Sequence, residues 1–263
     1  GRKGWSMGAR VVAIANQKGG VGKTTTTLTL GAALSRRGKR VLIMDLDPHA
    51  NASVHLRFYP EDLSVTMYDL FMVDEAAWPD LWKRLVRRNE GQAWDVAPAS
   101  IQLAELDVDL KGRKGKGAIL QQAIAHVRDD YDFIIIDCPP HVGILLVNAL
   151  VACDLLVIPI QTDFLALHGL KLLFDTIRVL NKVLPQPIRY RALATMFDKR
   201  ARACNRVLEL LAQKMGPKMF NTVVGMDTRF REASAQGRVI YDLDPESRGA
   251  RAYDALAEEM LQS

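Results

Sequence analysis

Gln17-Lys18-Gly19-Gly20-Val21-Gly22-Lys23-Thr24-Thr25 sets two lysines around three glycines. The apolar run Val11-Val12-Ala13-Ile14-Ala15 precedes it and reads as a buried strand. Leu28-Thr29-Leu30-Gly31-Ala32-Ala33-Leu34 follows and reads as a helix. Strand, glycine-rich turn, helix is the setting of a phosphate-binding loop. The glycines let backbone N–H groups converge on phosphate oxygens, and the helix N-terminus adds partial positive charge. In such a loop Lys23 reaches the β- and γ-phosphates and the Thr24 hydroxyl is a magnesium ligand. Gly19, Gly20, Val21, Gly22 and Thr25 would complete the cradle.

Outward from this loop the chain alternates strands and helices. Lys39 to Asp45 and Tyr131 to Asp137 are continuous apolar runs ending in an acid, the pattern of parallel strands covered on both faces. Asp154 to Ile160, Tyr190 to Met196 and Phe220 to Val224 read as further strands, and Trp94 to Pro98 as a short one. Helices are expected over Ser64 to Phe71, Trp78 to Arg88, Ala118 to Val127, Leu165 to Leu184, Asn205 to Lys214 and Ser247 to Leu261. The alternation predicts an α/β fold: one doubly wound, mostly parallel sheet with helices on both faces and right-handed crossovers. With no Pro-, Gly- or Ser-rich linker, residues 7–263 read as a single domain, and residues 1–6 as an N-terminal extension before Met7.

Asp45-Leu46-Asp47-Pro48-His49 lies at a strand's carboxyl end, where open α/β sheets bind ligands. Carboxylates there could hold magnesium or orient an attacking water; an Asp-Pro turn is the plainer reading. Asp137 could reach magnesium through a water. Trp78, Trp82 and Trp94 read as packing residues rather than a base-stacking platform.

The chain has 263 residues, 49% hydrophobic and 25% charged, with net charge +5. That composition suits a globular protein and permits nucleic-acid contact. Three scattered cysteines suggest neither a zinc site nor a disulfide framework, which fits a cytoplasmic protein. The longest apolar stretch, Ile144 to Ile160, carries Asn148 and Asp154, so no membrane span is expected.

Gln17 stands where the standard phosphate-loop pattern has Gly, and Lys18 opens K-G-G-x-G-K-T instead. In this the sequence resembles the ParA/MinD group of ATPases, with their deviant Walker A motif, and ParA within it. The likeness runs from Arg10 to Leu261 and includes Asp137-Cys138-Pro139-Pro140, Thr195 to Asp198 and Arg229 to Gly237. It implies a P-loop ATPase using ATP and Mg²⁺, slow without its partner. It also implies that Lys18 crosses a dimer interface to the partner's nucleotide; the alternative is a solvated loop lysine. Asp47, with Lys18 and Lys23, takes the catalytic role, and Thr24, Asp47 and Asp137 the metal. The family's Gln is His49 here, and its Ser is His141. Met196, Gly225 and Asp227 fall where the family holds adenine, Asp227 as acceptor for the adenine amino group.

The resemblance also implies an ATP-dependent homodimer that binds non-specific DNA through Arg200 and Arg229, is nucleoid-associated, and hydrolyses ATP when a ParB-like protein stimulates it. Lys199, Arg202, Arg206 and Arg231 enlarge that basic surface, which could equally be a solvated face. The loop Lys111 to Gly117 carries four more cations, for a phosphate backbone or for solvent. Competing readings are a positioning ATPase for a protein cargo, a MinD-like membrane-cycling ATPase and an iron–sulfur reductase. The chain's acidic, short ending, Leu256 to Ser263, argues against the second. The cysteine pattern argues against the third.

Overall fold

The computed structural model describes residues 8–16, 21–88, 92 and 94–263. The expected extension 1–6 and four residues of the phosphate loop, Gln17, Lys18, Gly19 and Gly20, lie outside the described residues.

Eight strands form one sheet: β1 (Arg10–Ile14), β2 (Val41–Asp45), β3 (Arg87–Arg88), β4 (Asp95–Ala97), β5 (Phe133–Asp137), β6 (Leu155–Gln161), β7 (Tyr190–Phe197) and β8 (Met219–Gly225). Their order is β3-β4-β2-β5-β1-β6-β7-β8. Every pairing is parallel except β3 with β4 at one edge. The doubly wound, mostly parallel sheet expected from the alternation is therefore present. The chain leaves β1 in one direction, toward β2, and later crosses to β6 on β1's other side. The switch falls at β1, where such sheets bind ligands.

Alternate residues of the central strands feed two cores. Val11, Ala13, Leu42, Met44, Ile134 and Ile136 face one. Val12, Ile14, Val41, Ile43, Phe133 and Ile135 face the other. Burial on both faces is why these strands read as unbroken apolar runs.

The helices are α1 (Val21–Arg36), α2 (Asn51–His55), α3 (Met67–Met72), α4 (Trp78–Leu85), α5 (Leu106–Asp109), α6 (Ile119–Ile124), α7 (Ile144–Ala152), α8 (Phe164–His168), α9 (Lys171–Asn181), α10 (Arg202–Met215), α11 (Arg229–Ala235), α12 (Ile240–Leu243) and α13 (Arg248–Gln262). Helices α1, α2, α12 and α13 contribute to the second core. Helices α3, α4, α6, α7, α9 and α10 contribute to the first. Helix α1 sits close on β2 because Gly31 has no side chain: a Cβ there would stand 2.7 Å from Ile43 Cδ1.

Several boundaries differ from the sequence reading. Helix α3 starts at Met67, not Ser64, because Thr66 and Asp69 close a capping box. The Asp69 carboxylate accepts the Thr66 N–H at 2.9 Å. Arg87 and Arg88 leave the expected helix and pair with β4. The expected helix Leu165 to Leu184 is two, α8 and α9, parted at Gly169 and Leu170, where Leu170 turns into the core. The apolar stretch Ile144 to Ile160 is a buried helix and a buried strand parted at Cys153 and Asp154. No described helix is long and apolar enough to cross a membrane.

The three tryptophans are packing residues. Trp78, Trp82 and Trp94 are buried. Trp78 donates Nε1–H to the Leu70 carbonyl at 2.9 Å and Trp82 to the Ala123 carbonyl at 2.8 Å. Edge strand β8 is closed by α13: Glu259 accepts the Asn221 N–H at 2.7 Å and the Thr222 N–H at 2.9 Å. Such pairing satisfies donors that an open edge would present to another chain.

Candidate functional site

Strands β1, β2 and β5 end side by side, and their carboxyl ends converge on the start of α1. Lys23 and Thr24 lie in the first turn of that helix, whose unpaired N–H groups and dipole favour an anion. Lys23 is 3% exposed, an unusual place for an ammonium. Its Nζ donates to the Cys138 carbonyl at 2.9 Å and lies 3.3 Å from Asp47 Oδ2. Burial alone would lower its pKa, but the charges of Asp137 and Asp47 outweigh it and raise it.

Thr24 donates its hydroxyl to Asp137 Oδ2 at 2.9 Å. Thr27, one turn later on the same face, donates to Asp137 Oδ1 at 3.3 Å. Asp137 is fully buried, and burial holds its pKa above the usual carboxylate value despite the opposing pull of Lys23. Asp45 pairs in register with Asp137 across β2 and β5. Its Oδ2 accepts both the N–H of Ser53, at 2.9 Å, and its hydroxyl, at 2.6 Å. Burial, and then the charge of Asp137, push Asp45 up to about 7.

Asp47 is likewise buried, between Lys23 and His49. Among the described residues, Lys23 thus faces Asp47 and Asp137, and Asp45 stands beside Asp137. The excess negative charge and the hard oxygens of Thr24 and Asp137 fit a magnesium ion that takes its other ligands from water and phosphate.

Other expected residues fall near this centre or apart from it. Gly22, second residue of α1, has no described atom within 4 Å of where a side chain would stand, and Thr25 lines an open groove of about 730 Å³. That groove runs from Thr24 past Asn51 and Tyr59 to Ser234 and Gly237. Val21 starts α1, and Lys18, Gly19 and Gly20 lie outside the described residues. A smaller cavity of about 270 Å³ opens beside Arg10 and Asp154 at the amino end of β1, away from the carboxylates.

Met196 and Gly225 lie at the carboxyl ends of the neighbouring strands β7 and β8, where Phe197 pairs with Gly225. Met196 has φ 54, a left-handed conformation costly for a non-glycine residue, and is half-exposed like Met226. Both oxygens of Asp227 are engaged with backbone. Oδ1 accepts the Arg229 N–H at 3.0 Å and Oδ2 the Gly249 N–H at 2.8 Å. Its visible work is to join the starts of α11 and α13.

Arg200 is 86% exposed, with its Nε 3.3 Å from Asp198. Arg229 is held by Glu232 at 3.0 Å and Asp244 at 3.7 Å. Both arginines pair with acids, Arg200 the more exposed of the two. Sequence reading passed over Ser53, Thr27 and the Cys138 carbonyl. Only Thr27 had a signal, its place in the run Thr24 to Thr27.

In magnesium-free buffer the Asp45 shift carries a definite sign. The unfolded chain releases this proton near the ordinary value, about 4, whereas the folded protein keeps it up to about 7. The contribution favours folding fully below the lower value and is lost as pH rises through the window. Urea unfolding across that range should show Asp45→Asn with a flatter pH profile than the parent; superimposable profiles would mean that Asp45 is not the group responsible.

Comparison with known proteins agrees with this geometry. The AAA domain family matches residues 9–189. The chain is 41% identical over 252 residues to the sporulation initiation inhibitor protein Soj of Bacillus subtilis, covering 95% of this chain and 98% of that one. It is 34% identical over 263 residues to the chromosome partitioning protein ParA of Myxococcus xanthus, covering 100% and 91%. Among solved structures, a cobyrinic acid a,c-diamide synthase from Mycobacterium smegmatis with bound ADP and magnesium superposes with TM-score 0.78 at 31% identity, covering 97% of this chain and 94% of that one. The chain belongs to the AAA domain family and, within it, to the ParA/Soj group of partitioning ATPases.

Proposed function

We propose that this chain is an ATP-driven partitioning switch that pairs with a second copy, holds DNA without sequence preference while paired, and lets go when a ParB-like partner stimulates hydrolysis. The reading places it in the cytoplasm on the nucleoid. One observation carries it above the others: Lys23, Thr24, Asp47 and Asp137 meet at the carboxyl ends of β1, β2 and β5.

The reaction we assign is in-line attack of water on the γ-phosphate. Lys23 leaves its contacts with Asp47 and the Cys138 carbonyl to neutralise phosphate charge. That frees the Asp47 Oδ2 it now holds, and Asp47 orients the water. Thr24 and Asp137, already joined by a hydrogen bond, would hold magnesium. When bound, the ion supplies charge neutralisation across the β- and γ-phosphates. Catalysis of this kind is positioning and electrostatics, so turnover stays slow until the site is completed. Lys18 completes it from the partner copy; this assignment rests on the sequence K-G-G-V-G-K-T and on the family. For adenine we assign Met196 and Gly225 and add Met226, with Asp227 kept as the helix cap.

Two further observations support the reading. Helix α13 buries Tyr253, Leu256, Ala257 and Met260, so its apolar face is spent on the sheet rather than on a bilayer. Cys138 is fully buried, and burial raises its thiol well above the ordinary value. Such a thiol suits neither an amide-transfer nucleophile nor a cluster ligand.

With non-hydrolysable ATP and magnesium, sedimentation should show a dimer that Lys18→Ala abolishes without loss of nucleotide binding; a monomer in the parent protein sinks the switch. Asp47→Ala should bind ATP, dimerise and lose about 100-fold in turnover; parental turnover would remove Asp47 from the chemistry. Arg200→Glu with Arg229→Glu should keep the dimer, weaken DNA retention and reduce the salt slope by about 2 per monomer. Unchanged retention would return both arginines to the solvated surface.

A further inference from the structure

His49 follows the acidic segment by two residues and is tied to it twice. Its backbone N–H donates to Asp47 Oδ1 at 3.0 Å, and its ring Nδ1 lies 2.9 Å from the same oxygen. An ionised carboxylate accepts and does not donate, so the ring proton sits on Nδ1. The ring is 63% exposed, whereas Asp47 is 2% exposed. The other oxygen of Asp47 is held by Lys23. The carboxylate is thus held by a lysine at one oxygen and by His49 at the other.

We propose that His49 is a positioning residue for Asp47, fixing the carboxylate through Nδ1–H once Lys23 has turned to the phosphates. This rests on the reading of Asp47 as the residue that orients water. The logic is that of a ring nitrogen and a carboxylate holding each other's geometry, with the histidine here serving the acid. Without the ring, the backbone N–H of His49 is left to hold one oxygen while the other is released on ATP binding. The side chain can then rotate about that single bond. Orientation errors of this size reduce turnover without weakening binding of the nucleotide, because Asp47 touches the water and not the base.

His141 stands opposite, its ring tilted 51° to that of His49 with centroids 6.4 Å apart. It reaches over from the loop after β5 and does not share the bond to Asp47. Its substitution separates the ring contact from the bond to Asp47.

Chemistry selects the variants. Asparagine places its amide N–H where Nδ1–H stands; glutamine places it nearer Nε2. His49→Ala should lower kcat about tenfold, as expected for one lost hydrogen bond to a charged group, with KM within about twofold of the parent. His49→Asn should restore most of kcat, and His49→Gln should not. His141→Ala should leave kcat unchanged. A long-range proton–nitrogen spectrum of the parent protein should show His49 protonated at Nδ1, a signal that His141→Ala preserves. Parental kcat in His49→Ala overturns the proposal, and so does rescue by Gln with none by Asn, which would place the working atom at Nε2. A parent protein that binds ATP and magnesium but never turns it over, with or without DNA and partner, would instead sink the ATPase reading itself.

Discussion

Two carboxylates standing in register on adjacent parallel strands, Asp45 and Asp137, set the terms for this end of the molecule. Buried charge is expensive unless each oxygen finds a donor. Here most donors come from helices, and the Asp47 N–H serves Asp45 Oδ1 at 3.1 Å. Thr24 and Thr27 of α1 serve Asp137, and Ser53 of α2 serves Asp45. The short helix α2 has little other reason to form. It is five residues long and starts from a left-handed Ala50 without a side-chain cap. Its Ser53 hydroxyl also accepts the Ala99 N–H at 2.9 Å, which ties the acidic segment to the end of β4. The acids therefore dictate where α1 and α2 sit, as much as the apolar faces do.

Much of this was legible in the sequence, for a physical reason. Strands covered on both faces cannot afford polar interruptions, so β1, β2, β5 and β6 announce themselves as apolar runs, and the acids that end β2 and β5 mark where burial against a helix gives way to a cleft. What stayed hidden depends on contacts distant in the chain. Ser53 looks like any helix serine until Asp45 is beside it. Asp227 reads as a possible base contact, and its bond to Gly249, 22 residues on, could not be foreseen. The division of α8 from α9 carries a weak local signal, one glycine, because α9 must bury Leu173 and Ile177 while α8 buries Ala166. Arg87 and Arg88 join the sheet by pairing with a strand that local periodicity cannot foresee.

The far edge of the sheet shows how strain and closure are arranged around the same face. Met196 holds a left-handed backbone where β7 and β8 slip register. Thr162 stabilises that turn by donating its hydroxyl to the carbonyls of Thr195 and Met196, at 3.1 and 3.2 Å. A strained residue kept in place by hydrogen bonds from a neighbouring strand end, with its side chain half in solvent, is the arrangement expected of a contact surface rather than of packing. Glu259, meanwhile, lends its carboxylate to β8, so the edge beside that surface offers few open donors.

The arithmetic of charge then links occupancy to chemistry. Among the described residues, Lys23 is a cation held between Asp47 and Asp137. It cannot neutralise phosphate and these acids together, since one ammonium has three protons and a fixed reach. Moving it toward a triphosphate would strand buried carboxylates beside an incoming anion, unless a divalent cation arrived with that anion and the raised affinity of Asp45 for a proton absorbed the rest. The described acids therefore favour nucleotide that arrives with magnesium over nucleotide alone.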